Sequence, residues 1–166
     1  MRLASRALYR SRQFFGSVRP RVDEAQREQA FALLNDSQRT LFSSMTTRDQ
    51  QHCLDVYHAL REEGHDDSDL LIAALLHDAG KGTIELWHRV AFVVLEATSP
   101  RLLDRFARPG DGGNWRQALH RCRNHPELGA ELARQAGSSE RVVTLISEHG
   151  ADDRQMAALK AADESA

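Results

Sequence analysis

Six residues in this chain combine metal-ligating chemistry with positions at the ends or on the apolar faces of expected helices: His52, His77, Asp78, His125, His149 and Asp163. On a helix, residues three, four and seven apart share a face. His52 then shares one with Val56, Ala59 and Leu60, and His77 with Leu70, Ala73 and Ala74. His149 lies behind Val142, Leu145 and Ile146, and Asp163 behind Met156 and Leu159. Asp78 adjoins His77 at a helix end, and His125 stands at a helix start. Any one histidine of this kind is well explained as a hydrogen-bonded core residue. Several together, with carboxylates, are not, because an unpartnered carboxylate inside a core costs several kcal/mol or takes up a proton. A shared cation removes that difficulty. Imidazole and carboxylate together suit the first-row transition ions, with Zn, Fe, Mn and Ni all compatible.

The elements that must position these groups read as helices. Thr47 caps a helix that Gly64 closes near residue 63, and its Gln50 gives capping-box spacing. A second helix covers roughly 69–78 and stops at Gly80. "IELWHRVAFVVLEAT" (84–98) is apolar and ends at Pro100. "ARPGDGGN" (107–114) is a loop without Walker spacing. A helix begins near Asn124 with Pro126 in its first turn and ends at Gly137. Ser138 or Ser139 caps the next, which runs to about His149, and a last helix spans roughly 153–164. Strand signals are weak, since "VRPRV" contains proline and "VAFVV" lies inside a helical period. The expectation is an all-α, single-domain helical bundle. Residues 1–39 form a basic arm and a leading helix packed on the body, and 40–166 form the metal-binding domain.

The totals narrow the function classes. The net charge is −2, which disfavours a nucleic-acid binder. Arg2, Arg6, Arg10, Arg12, Arg19 and Arg21 precede the first acid, Asp23. This leaves 16 basic against 24 acidic residues over 22–166, a charge of about −8. Two cysteines without CxxC spacing fit a reducing compartment. No apolar run approaches the roughly 20 residues of a membrane span, and a cytoplasmic location is the expectation.

The pattern H…HD…H…H…D resembles the HD-domain metal-dependent phosphohydrolases. "TTRDQQHCLDVYHAL" is similar to that family's first-histidine helix and "LLIAALLHDAGKG" to its HDxGK segment. "HPELGAELA" and "LISEHG" are similar to the two extra histidines of its dinuclear members, and "MAALKAADE" to its terminal-Asp helix. The likeness covers roughly residues 40–164. It implies an HD-type helical bundle and a divalent transition metal, one or two ions of Fe, Mn, Ni or Zn ahead of Mg. Asp78 would bridge, with His52, His77 and Asp163 on one ion and His125 and His149 on the other. Two such ions acidify a shared water and clamp a phosphoryl displacement. Asp78 and Lys81 are then the catalytic candidates, with Lys81 as a point charge on phosphate. His88, which faces inward with Ile84, Ala91, Phe92 and Leu95, is a candidate for substrate contact or core packing. Arg89, Arg116 and Arg123 are candidate phosphate clamps or plain surface arginines. Trp87 and Trp115 read as core or rim packing.

The implied activity is cleavage of a phosphoester or phosphoanhydride of a phosphorylated small molecule, a nucleotide foremost, with a homodimer compatible. The His125–His149–Asp163 end is most similar to the branch that hydrolyses dinucleoside tetraphosphates. Two other classes share the ligand pattern: a di-iron HD-type oxygenase and a non-catalytic ligand-sensing HD module.

Overall fold

In the computed structural model the described residues are 24–82, 84, 86–107, 115–147 and 153–166. The basic arm up to residue 23, the loop 108–114 and the segment 148–152, which holds His149, lie outside them. All regular structure among the described residues is helical: α1 (Glu24–Phe31), α2 (Asp36–Ser44), α3 (Thr47–Glu62), α4 (Ser68–Leu76), a 3-10 turn (Ala79–Lys81), α5 (Leu86–Thr98), α6 (Pro100–Phe106), α7 (Trp115–Gln135), α8 (Glu140–Ile146) and α9 (Arg154–Ser165). This is the all-α class expected.

α4 is the axis of the bundle. Its sequence, SDLLIAALL, is apolar on nearly every side after the first turn, and such a helix is stable only when surrounded. Leu70, Leu71, Ala73, Ala74, Leu75 and Leu76 are all buried. α2, α3, α8 and α9 pack around it, and Ala30 and Leu34 join the same core from the N-terminal side. Asp67 caps it by accepting a hydrogen bond from the Leu70 amide at 3.0 Å. Asn35 and Gln38 form a full capping box on α2.

Several boundaries differ from the sequence expectation. The cap of α3 is Thr46, one residue earlier than Thr47, because its hydroxyl is the one that reaches the Asp49 amide. Pro100 does not simply end a helix; it occupies the first turn of α6, where its missing N–H costs nothing. α7 begins at Trp115, nine residues before the expected Asn124. Buried Leu119 anchors that first half, which packs on α5 and α6. The expected start survives as a kink: Asn124 has φ −109° and ψ 22°, and Pro126 follows it. α4 ends at Leu76, so Asp78 lies beyond it, at φ −91° and ψ 0°, in the bridge region between helix and strand.

α5 is apolar on two faces, yet Trp87, Val90, Val93 and Val94 are exposed on its outer side. Trp87 is 53% exposed and Trp115 38%, so neither is a core residue. Trp115 packs edge-on against Phe106 at the rim.

Candidate metal centre

The end of α4 delivers His77. The last carbonyls of a helix lack intrahelical partners, and His77 Nδ1 donates to one of them, the Ala74 oxygen, at 2.9 Å. A carbonyl can only accept, so the proton is on Nδ1 and the Nε2 lone pair faces away from the helix. His125 is set the same way by different means. Pro126 has no N–H to give the Cys122 carbonyl one turn back, and His125 Nδ1 donates to that carbonyl instead, at 2.9 Å. The proline therefore kinks α7 and fixes the histidine's tautomer in one stroke. An imidazole tied through one nitrogen to a backbone carbonyl, with the other free, is the usual arrangement of a metal-ligating histidine.

Both free nitrogens converge on Asp78. His77 Nε2 is 3.4 Å from Asp78 Oδ1 and His125 Nε2 is 3.9 Å from it. α9 brings Asp163, whose Oδ1 lies 3.4 Å from His77 Nε2 and 2.7 Å from His52 Nε2 on α3. The N-terminus of α9 is held by Asp153, which accepts from the Gln155 and Met156 amides and pairs with Arg141 on α8. Residues from α3, α4, α7 and α9 thus meet at one point. Potential ligand atoms of His52, His77 and Asp163 all lie within 4.8 Å of one another.

The polar atoms here are not satisfied by the protein. His77 Nε2 and Asp78 Oδ1 are buried and have no hydrogen-bond partner, a rare condition that calls for an explanation. Asp78 is 1% exposed. Burial alone would raise its carboxyl, but Lys81, His77 and the neighbouring His52 and His125 overcome this and hold it well below the usual carboxylate range. Asp163 is likewise depressed, against its desolvation, by the hydrogen bond with His52 and by the nearby His77 ring. Burial works against a charged His77, yet Asp78, Cys53 and Asp163 push its pKa well above the ordinary histidine value. His125 is lowered by burial and by Lys81, which leaves it a neutral donor. Two ionised carboxylates and imidazole nitrogens meet at one point, and this donor set of nitrogen and oxygen fits a divalent transition metal.

Lys81 donates from Nζ to Asp78 Oδ2 at 2.5 Å, leaving Oδ1 to the histidines. Arg89 makes a two-pronged pair with Asp49, at 2.8 and 2.7 Å. Arg123 pairs with Asp104, and Arg116 lies over the Phe106 and Trp115 rings. His88 stacks on Trp87, with ring centroids 3.6 Å apart. The expected ligand His149 lies outside the described residues.

Two polar neighbours were not singled out by sequence. Cys53 is fully buried with Sγ 3.7 Å from His77 Nδ1, and together with His77 and Asp78 it forms a second geometric cluster. It faces the nitrogen already bound to Ala74, and burial pushes its thiol pKa up, so it buttresses the ring and is not a ligand. Asp49 is 2% exposed and accepts also from the Thr46 hydroxyl at 2.7 Å. Its signal was legible: Asp49, Cys53, Val56 and Leu60 form one helical stripe.

A family model of the HD domain matches residues 50–164. The chain belongs to this family, the HD metal-dependent phosphohydrolase superfamily, whose members are mostly metal-dependent hydrolases that bind divalent ions. No curated protein and no solved structure is matched. Among the described residues no helix is long and apolar enough to cross a membrane.

Proposed function

We propose that the protein is a metal-dependent phosphohydrolase that cleaves a phosphoester or phosphoanhydride of a small molecule, with a nucleotide as substrate. The observation that carries this reading is the pair of buried, unpartnered atoms His77 Nε2 and Asp78 Oδ1, 3.4 Å apart, beside Asp163. His52, His77, Asp78 and Asp163 would hold one ion, and Asp78, His125 and, by its place in the motif, His149 would hold a second. Bound there, divalent ions acidify a water molecule and polarise the phosphoryl oxygens.

The chain's own groups do the rest. The Ala74 and Cys122 carbonyls hold the two imidazoles in the ligating tautomer. Lys81 fixes Asp78 through Oδ2, so that Oδ1 stays on the shared side. Its ammonium would also stabilise a phosphate oxygen as negative charge builds there. His88, Arg89, Arg116 and Arg123 are substrate contacts of the second rank. Arg89, Arg116 and Arg123 already contact Asp49, aromatic rings and Asp104, and His88 stacks on Trp87.

The test is reconstitution of purified protein with Mn, Fe, Ni, Zn or Mg separately, followed by a screen of phosphorylated metabolites for phosphate release. Release that requires the transition metal and vanishes in Asp78→Ala supports the reading. Iron-dependent oxygen consumption without phosphate release would replace it with the oxygenase class.

A further inference from the structure

We propose that Arg121 and Lys81 form an anion clamp at the mouth of the metal centre, specific for a terminal phosphate group. The clamp's use in catalysis rests on the phosphohydrolase reading; its place rests on geometry.

Arg121, His125 and Gly129 follow one another at intervals of four along α7, and this face lies along the segment from His77 to Gly82. Gly129 sits against the His77 carbonyl, His125 against Gly80, and Arg121 against Gly82. A Cβ built on Gly82 would lie 2.2 Å from Arg121 Nη1. Gly82 has φ 59° and ψ −153°, a conformation that is essentially glycine's alone. Glycine is therefore required at 82 by the backbone turn, and the Arg121 guanidinium rests in the space that a side chain there would take. Lys81 is the preceding residue and holds Asp78. The Arg121 guanidinium thus reaches from α7 to the loop that carries Lys81 and the shared carboxylate.

Three other partly buried arginines hold carboxylates or carbonyls. Arg89 is on Asp49, Arg141 on Asp153 and Arg39 on the Phe31 carbonyl. Arg121 makes no hydrogen bond or ion pair with a described residue, although it too is partly buried. A guanidinium carries five N–H donors in a planar fork and cannot shed its charge. Held against a glycine at the edge of a metal centre, it is a ready acceptor site for an anion, and its fork matches two phosphate oxygens.

The charge count selects the kind of phosphate. A phosphodiester has two non-bridging oxygens and one negative charge, which the metal centre alone engages. A monoester or the terminal phosphate of a nucleotide has a third non-bridging oxygen and nearly two charges. That third oxygen is what Arg121 and Lys81 are placed to take.

The experiment titrates inorganic phosphate, by calorimetry, into metal-loaded wild type, Arg121→Ala, Arg121→Gln and Arg134→Ala. Loss of a charge-assisted, two-pronged contact should weaken phosphate binding about tenfold or more in both Arg121 variants. Metal content should stay at the wild-type level. Arg134, which pairs with Glu131 and Glu140 on the far part of α7, should leave affinity unchanged when truncated. With substrate, the Arg121 variants should raise KM for a phosphomonoester more than they lower kcat, and should leave phosphodiester kinetics nearly unchanged. A dicarbonyl arginine reagent on the wild-type holoprotein needs no variant: phosphate should protect Arg121 from modification, read by mass spectrometry.

Wild-type phosphate affinity in the Arg121 variants, no phosphate binding by the wild type, or no protection of Arg121 would overturn the clamp. Phosphate binding that depends on Arg121 in a protein that hydrolyses no phosphoester would keep the clamp and overturn the hydrolase reading. Hydrolysis by the wild type with unaltered phosphate affinity in Arg121→Ala would do the reverse.

Discussion

Replacing Gly80 by alanine should both destabilise the fold and uncouple the two halves of the metal centre. Gly80 does not need glycine for its backbone angles, since it is not among the positive-φ glycines. It needs glycine because the 3-10 turn lies directly on α7. A Cβ at 80 would sit 2.1 Å from the His125 carbonyl oxygen, 2.5 Å from the Gly129 nitrogen and 2.9 Å from the His125 carbonyl carbon. Ordinary contact begins near 3.5 Å, so the turn and the helix must part by about an ångström or more. All three obstructing atoms are backbone and cannot rotate away. Overpacking of this kind costs about 1–3 kcal/mol, and the upper end applies here. For a domain of this size, about 3 kcal/mol lowers Tm by roughly 6–12 °C. The same displacement carries His125 away from Asp78. Two ligand atoms bound to one ion at about 2.0–2.1 Å are at most about 4.2 Å apart. His125 Nε2 and Asp78 Oδ1 are already 3.9 Å apart, so they have no slack. His52, His77 and Asp163 meet on helices other than α7. Gly80→Ala should therefore retain close to one metal equivalent and lose the second. Thermal unfolding by circular dichroism and metal analysis of the reconstituted protein read the two effects. Gly129→Ala is the graded control, with its nearest contacts at 3.2, 3.3 and 3.3 Å, and should cost clearly less. A Gly80→Ala protein with wild-type Tm and wild-type metal content would refute the reasoning.

Asp49→Ala strands a largely buried guanidinium. Breaking such a pair costs about 3–5 kcal/mol, and a fall in Tm no larger than that of an exposed Asp55→Ala control would show Arg89 indifferent to it. Lys81→Ala should keep the metal and lose about 10²-fold in kcat, the scale of one preorganised electrostatic contact; wild-type turnover of a confirmed substrate would make Lys81 a holder of Asp78 only. Metal-free protein should lose stability as pH rises above 6.5. Against its burial, Asp78, Cys53 and Asp163 raise the folded-state pKa of His77 well above that value, so its contribution is full below 6.5 and disappears as pH climbs through the raised value. The depressed Asp78 and Asp163 act oppositely, contributing above pH 3.8 and losing their effect as pH falls below it. Because the metal displaces the His77 proton, metal affinity should rise over the same alkaline range. Thermal melts in a pH series with and without chelator check this, and parallel curves would count against it.

Local pattern was enough for the helices whose apolar residues recur at helical spacing and whose caps are local. α4 is legible because its apolar run is bounded by Asp67 and by the Gly80 segment. His77, Asp78 and Asp163 stand out because polar groups interrupt apolar stripes. Asn124 and Pro126 mark a break, since the lost N–H of a proline is a property of the residue itself, but the break read as a helix start and is a kink within α7. The first half of α7 escaped because burial of Leu119 depends on neighbours in α5 and α6. Asp78 as the meeting point was implied by the family resemblance, but the packing that makes it so has no local signal. It requires α3, α4, α7 and α9 to converge, and contacts between residues as far apart as 52 and 163 have no local trace. The same holds for Asp49 with Arg89, and for Arg121 on Gly82. A charge or glycine in the sequence states what a residue can do, and only packing decides which partner lies within reach.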